Sequence, residues 1–429
     1  NKNAESFKKS CRTRMTMEAV ARFKDRERFY IPWSFDYRGR AYPIPAFLTP
    51  QDTDFGKSLI QFAEGAYLIP EAEQWLSFQV ATTYGLDKAS LDERHQWVCN
   101  NLQLIENVGK DPLRFLPEWE AADEPWQFMA ACEEYYHCLI ACDRHWTRLP
   151  IAVDATCSGL QIVAGMAKDQ STASLVNVVP SDRPQDAYKV VAEHAKPNCP
   201  QSIVPYLDRT VVKRVVMTIP YNAKSFSNRS YIGDALRKRG VEITKEQLTE
   251  LVKLTREAMR IVVPGPLKVM DWLNREIGRA IKNGMDHISW TTPSGFVVKQ
   301  DLRKTETIRI KAQLMGRIDL KIGVGHGDPD LNHHKNAGAP NLIHSMDSAI
   351  LQLGLKDFAA PFTCIHDSVL CGANHMDAMN EAVRTAYAQI FVEHSPLHDL
   401  AEAINAETPP PMEYTFDPST VLDSPYFFC

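Results

Sequence analysis

The chain has 429 residues, 44% of them apolar and 24% charged, the balance of a soluble globular protein with room for two or three packed subdomains. Its apolar runs stay below the roughly 18 residues of a membrane span; the nearest, Ile151–Ala167, is interrupted by Asp154 and bounded by Lys168. A net charge of −5 argues, taken alone, against a nucleic-acid partner.

The distribution of charge argues the other way. Eleven Lys or Arg stand against five acids from Asn1 to Arg40, five bases against no acid from Arg209 to Arg229, and seven against three from Lys299 to Lys321. Three basic segments in an acidic chain fit an internal charged channel, although any one of them also reads as a solvated face. Ten scattered cysteines without a Cys-x-x-Cys pair read as reduced thiols in a cytosol-like compartment. Cys138 and Cys142 beside His145 read as a helix face, and His326, His333 and His334 as a polar loop, before either reads as a metal site. The opening Asn-Lys-Asn-Ala-Glu carries no Met and no apolar targeting segment, so an upstream region is expected to be absent from this sequence.

In chain order, the pattern predicts a helix over 5–24 and an extended, proline-rich stretch over 29–43. Helices follow over 70–147, with breaks at 85–87 and 109–125. A buried strand over 149–154 then ends on Asp154 and leads into a helix over 158–167. Further helices are expected at 184–196, 208–220, 244–262 and 266–283, then β-hairpins from 287 to 321, with a turn at Pro293-Ser294-Gly295. A helix at 339–358, two short strands at 361–365 and 368–372 meeting at His366-Asp367, and a helix over 376–405 complete an α+β chain.

Asp154 and Asp367 each follow an apolar strand, so each carboxylate is expected at a sheet end beside the core. Brought together, two carboxylates repel unless cations neutralise them, and magnesium takes a few carboxylates together with substrate phosphates. Two unrelated turn aspartates would give the same local pattern. Arg209, Lys213, Met217 and Tyr221 recur every four residues and share one helix face, with Arg214 beside Lys213. A face of cations ending in a phenol suits a triphosphate with its sugar near Tyr221, and a solvated basic face is the alternative.

The blocks Asp154-Ala-Thr-Cys-Ser-Gly-Leu-Gln161, Arg209 through Tyr221 and His366-Asp-Ser368 resemble motifs A, B and C of the bacteriophage-type single-subunit RNA polymerases, which include mitochondrial and plastid enzymes. Phe35-Asp-Tyr-Arg-Gly-Arg40, Val176 through Ser181 and Ala339 through Asp347 are similar to further family motifs, in family order, over nearly the whole chain. The resemblance implies a right-hand polymerase fold without its N-terminal domain and most of the thumb. Residues 1–28 would be a thumb or connecting remnant, 29–155 the first part of the palm, 156–338 the fingers with a specificity hairpin at 296–321, and 339–429 the rest of the palm and the tail.

By motif position, Asp154, Asp367 and the Ala155 carbonyl would hold two magnesium ions, and Lys213 would be the phosphate-binding general acid. Arg209 and Arg214 would grip phosphates, Tyr221 and His344 would examine the ribose, and Tyr188 would lie close by. Arg38 and Arg40 would hold the hybrid. Arg309, Lys311, Asp319 and Lys321 alternate along the hairpin as promoter-reading side chains would, and a hairpin without readout remains the alternative. The aromatic C-terminus resembles the family ending that packs toward the active site.

The implied reaction is template-directed RNA synthesis from ribonucleoside triphosphates, with DNA template, promoter and RNA product as partners. A monomer in the cytoplasm of a phage-infected bacterium is expected, with a mitochondrion or plastid as alternative. Gly159 stands where related DNA polymerases of the A family carry a glutamate that blocks a ribose 2′-hydroxyl, which favours RNA over DNA synthesis. A non-catalytic nucleic-acid-binding module is the rival from another class. Asn222 departs from a family glycine but tolerates left-handed backbone, and Pro220 is expected to end or kink the helix before Tyr221.

Overall fold

A computed structural model describes residues 2–313 and 317–428, with side chains throughout except at 2–7, 9, 309–313, 317–322 and 324–326. Helices dominate, joined by small antiparallel sheets, and the class is α+β as expected. Among the described residues no helix is long and apolar enough to cross a membrane.

One three-stranded sheet organises the molecule. Phe362–Ile365 pairs with Ser368–Cys371, which pairs in turn with Ile151–Asp154, all antiparallel. Ile151, Val153, Val369 and Cys371 are buried, and the helix Ser158–Ala167, buried along its whole length, leaves the same edge. That helix is surrounded by Pro264–Lys282, Leu331–Leu355 and Pro396–Ala403, so it forms the centre of the core. Gly165 meets the Phe391 ring and the Tyr387 hydroxyl at 2.6 Å from where a Cβ would stand, so only glycine permits this approach.

Several elements differ from the sequence reading. Ser225–Lys238 is an unforeseen helix, because Asn228, Ile232 and Leu236 are its only buried residues and make a stripe too narrow to stand out. The long helix starts at Leu331 rather than 339, since Asp330 accepts from the backbone of Asn332 and His333 and caps it. His333 and His334 are therefore helical, and His334 is fully buried against Gln300 and Leu302. Pro340 lies inside this helix, which packs along Pro264–Lys282 and Met376–Glu393.

The expected 296–321 hairpin is two hairpins. Val297–Gln300 pairs back on Ile288–Thr291 through a turn with Gly295 at φ +84, and Arg303–Gln313 pairs separately with Arg317–Pro329. Backbone register sets Arg309 opposite Lys321 and Lys311 opposite Asp319. The side chains of Arg309, Lys311, Asp319 and Lys321 lie outside the described residues. Finally, the terminal helix breaks into Met376–Glu393 and Pro396–Ala403, with Pro396 starting the second piece.

Candidate active site

Strand register brings the two aspartates together. Ser368 is the direct partner of Asp154, and Asp367 precedes Ser368 in the turn from the neighbouring strand. That turn has only His366 and Asp367 between its strands, and His366 takes φ +59, a left-handed conformation that histidine tolerates better than most residues. The His366 ring lies 5.0 Å from that of Tyr42, while its buried Nδ1 has no partner. Both carboxylates line an open cleft of about 510 Å³.

Asp154 reaches solvent at this cleft yet is densely surrounded by protein. Burial and the nearby charge of Asp367 push its carboxyl above the usual range, while the Ser368 hydroxyl, Lys57 and Lys88 pull it back. A cation between the two would relieve this repulsion. Among the described residues no three His, Cys, Asp or Glu side chains gather as a metal cluster, so a cation here would draw further oxygens from backbone and substrate. That donor set fits magnesium, which keeps few protein carboxylates and takes phosphates. Sequence reading missed Lys57 and Lys88, which share the cleft with Asp123 and Glu124; Lys57 lies in the short helix Asp54–Ser58 and Lys88 in a turn, neither in a local motif, and only packing carries them there.

The helix Arg209–Met217 buries Val211, Val212, Val215 and Val216, which leaves its basic residues on the other side. It is tied to the segment after Asp154 at both ends. At the first end the Arg209 guanidinium lies over the Tyr188 ring at 5.7 Å, and the Tyr188 hydroxyl donates to Cys157 Sγ at 3.3 Å. At the other end the chain turns at Thr218–Asn222, with Asn222 at φ +57, and a Cβ on Gly159 would stand 3.0 Å from Pro220 and 3.2 Å from the Tyr221 hydroxyl. Lys213 lies between, half-buried, with no hydrogen bond or ion pair among the described residues. Pro220 acts earlier than expected: the helix ends at Met217, because the residue before a proline disfavours helical backbone.

These contacts bear on three readings. The space that a Cβ on Gly159 would enter is bounded by Pro220 and the Tyr221 hydroxyl, so the glycine lets that turn pack close. Gly159→Ala is expected to displace Tyr221 and weaken discrimination between ribo- and deoxyribonucleotides several-fold, measured by competing substrates on one primer. Tyr188 is 6% exposed, with its hydroxyl on Cys157 Sγ and its ring under the Arg209 guanidinium, so it lies close to the site as a support for Arg209. Arg214 lies 4.3 Å over the Tyr231 ring and is exposed, so the face it shares with Lys213 is only partly free.

Arg209 itself is half committed. Its Nε donates to Asp186 Oδ2 at 2.5 Å, while its buried Nη2 has no partner. An orphaned charged donor costs free energy until an anion arrives. Asp186→Asn is expected to raise the nucleotide KM about tenfold with little change in kcat, because it loosens the guanidinium rather than removing it; an unchanged KM would show that Asp186 serves only its helix cap.

Arg38 and Arg40 depart furthest from the sequence reading. Arg40 is 8% exposed and makes a bidentate pair with Asp347, Nε to Oδ1 at 3.0 Å and Nη2 to Oδ2 at 2.5 Å. It therefore joins the loop 36–40 to the long helix, with Nε and Nη2 committed to Asp347. Burial raises the Asp347 carboxyl, and the Arg40 guanidinium opposes that shift. Arg38 donates from Nε and Nη2 to Asp36 Oδ2, at 2.9 and 2.6 Å, and its Nη1 is 2.7 Å from His344 Nδ1. The His344 and Tyr221 rings, read together as one sugar-facing pair, are 5.0 Å apart. Burial, with Arg40 and Arg38 beside it, pushes His344 down to about 3, so the ring is neutral near pH 7. Burial, Asp347 and Asp367 keep the Tyr221 phenol protonated.

The chain end returns to the same place. The Thr156 hydroxyl donates to the Tyr426 carbonyl at 2.7 Å, the Gln161 amide to the Phe427 carbonyl at 3.0 Å, and Ala155 bridges Phe428. Phe427 and Phe428 are buried beside Ala155 and Asp367, as expected for the aromatic ending.

A sequence model of the family described as DNA-dependent RNA polymerase matches residues 68–420. Over 460 residues the chain is 29% identical to the DNA-directed RNA polymerase 3, chloroplastic, of Nicotiana sylvestris, covering 99% of this chain and 46% of the relative. It is 29% identical to the DNA-directed RNA polymerase 1B, mitochondrial, of Nicotiana tabacum (99% and 45% covered). It is also 28% identical to the mitochondrial DNA-directed RNA polymerase of Neurospora crassa (92% and 32% covered). The chain thus spans less than half the length of these curated relatives.

Proposed function

This chain belongs to the DNA-dependent RNA polymerase family, and from that premise we propose that it carries the catalytic palm and fingers of a single-subunit, DNA-directed RNA polymerase. The observation that carries the reading is the pairing of Asp154 with Ser368, which puts the Asp367 carboxylate beside that of Asp154 at the mouth of one cleft. Two magnesium ions held by Asp154, Asp367 and the Ala155 carbonyl would supply charge neutralisation at the attacking 3′-oxygen and the departing pyrophosphate.

The protein's own groups do the rest. Lys213, unpaired among the described residues, faces the leaving phosphates and donates a proton to them. The orphaned Nη2 of Arg209 takes a phosphate oxygen, and Arg214 adds positive charge on the same helix. Tyr221 and His344 meet the ribose. Residues 29–155 and 339–429 form the palm, 156–338 the fingers, and the 303–329 hairpin takes the place of the specificity element. Template DNA, promoter, RNA product and ribonucleoside triphosphates are the partners, and the working unit is a monomer. The organellar names of the relatives favour a mitochondrial or plastid type over the cytoplasm of an infected bacterium.

Extension of a preassembled RNA–DNA hybrid, with magnesium and either ribo- or deoxyribonucleotides, tests this directly and needs no promoter. Ribonucleotide addition with release of pyrophosphate is expected. Preference for deoxyribonucleotides would favour an A-family-like DNA polymerase, and hybrid binding without extension would favour a non-catalytic binding module.

A further inference from the structure

Arg38 stands in the loop between the strands Trp33–Phe35 and Ala41–Pro43, far in sequence from the long helix it reaches. Its Nη1 lies 2.7 Å from His344 Nδ1, across 306 positions of chain. A guanidinium has donors and no acceptor. Nδ1 must therefore accept, and the single proton of the neutral ring sits on Nε2. A proton on Nδ1 would set two donors against each other at hydrogen-bond distance.

The arginine is held as firmly as the histidine. One Asp36 oxygen accepts Nε and Nη2 of Arg38, and the other accepts the backbone N–H groups of Arg38 and Arg40 at 2.9 and 3.1 Å. Nη2 also reaches the Tyr42 hydroxyl at 3.3 Å, and the Tyr42 ring lies tilted against His366, beside Asp367. One carboxylate thus orients both the loop and the guanidinium. Arg38, Arg40 and His366 are the charged or titratable groups acting on His344, with Tyr221 against its ring.

We propose that Arg38 is a positioning residue for sugar selection: it locks His344 in the Nε2–H tautomer and so makes it a fixed hydrogen-bond donor to the ribose 2′-hydroxyl. This rests on the reading of His344 and Tyr221 as the ribose-facing pair. It gives Arg38 a role within the protein in place of hybrid contact, since each of its three guanidinium nitrogens already has a partner there.

Two measurements test it. Nitrogen-15 spectra of the histidine rings, with His344 assigned by its loss in His344→Gln, read the tautomer without any need for turnover. The Nε2-protonated form is expected in the unsubstituted chain at pH 7, and a tautomer mixture in Arg38→Gln; an Nδ1-protonated ring, or an unchanged spectrum in Arg38→Gln, overturns the proposal. Should Arg38→Gln fail to fold, Asp36→Asn frees the guanidinium and carries the same test. The second measurement is the ratio of kcat/KM for ribo- over deoxyribonucleotides on a preassembled hybrid. It should fall about tenfold in Arg38→Gln, the effect of one misdirected hydrogen bond. The double variant with His344→Ala should be no worse than His344→Ala alone, since Arg38 acts through the ring. If His344→Ala leaves the ratio unchanged, the ribose-facing reading fails and this inference with it. If His344→Ala lowers the ratio while Arg38→Gln stays within twofold, only the role of Arg38 fails.

Discussion

Asp367→Asn is expected to lower nucleotide addition on a preformed hybrid by about three orders of magnitude or more, roughly 4 kcal/mol of barrier, while hybrid affinity changes little. The substitution keeps size and shape, so the turn at His366 and the pairing of Ser368 with Asp154 survive. What it removes is one of the two carboxylates proposed to hold magnesium in the cleft. It also removes the repulsion that helps to raise the Asp154 carboxyl, so that group should titrate closer to the usual range in the variant. Single-turnover extension and fluorescence-anisotropy binding of the same hybrid separate chemistry from affinity. Equal losses in both would mean that the carboxylate serves nucleic-acid binding, and the catalytic assignment would fall.

Arg40→Met should destabilise the fold by about 3–5 kcal/mol, because it strands the Asp347 carboxylate in the interior without its partner. Asp347 is 4% exposed, and its remaining hydrogen bond among the described residues comes from the Ser348 hydroxyl at 3.5 Å. The double variant Arg40→Met with Asp347→Leu removes both charges, and most of the lost stability should return, since a buried ion pair and a well-packed apolar pair differ little. Denaturant midpoints of the three variants decide the matter. Unchanged stability in Arg40→Met, together with a large drop in hybrid affinity, would restore the guanidinium to nucleic-acid contact.

Much of this molecule is legible in one dimension. The strand ending at Asp154, the helix Ser158–Ala167 and the short strands around His366-Asp367 follow from apolar runs bounded by small and turn-forming residues. Asn222 in left-handed backbone and the helix stop before Pro220 follow from local sterics. The Ser225–Lys238 helix and the true start of the long helix were not legible, because three buried residues and one capping aspartate decide them.

The chemistry divides in the same way. Residue type and spacing alone determined that this chain carries acids at two strand ends and a helix face of cations, since both patterns depend on neighbours a few positions apart. Which cation is free to meet a substrate was decided only by the tertiary structure. Arg40 meets Asp347 across 307 positions, and Arg38 meets His344 across 306, whereas Lys213 meets no partner among the described residues. A charge acts through what lies within a few ångströms of it and how much water remains there, and a linear pattern records neither.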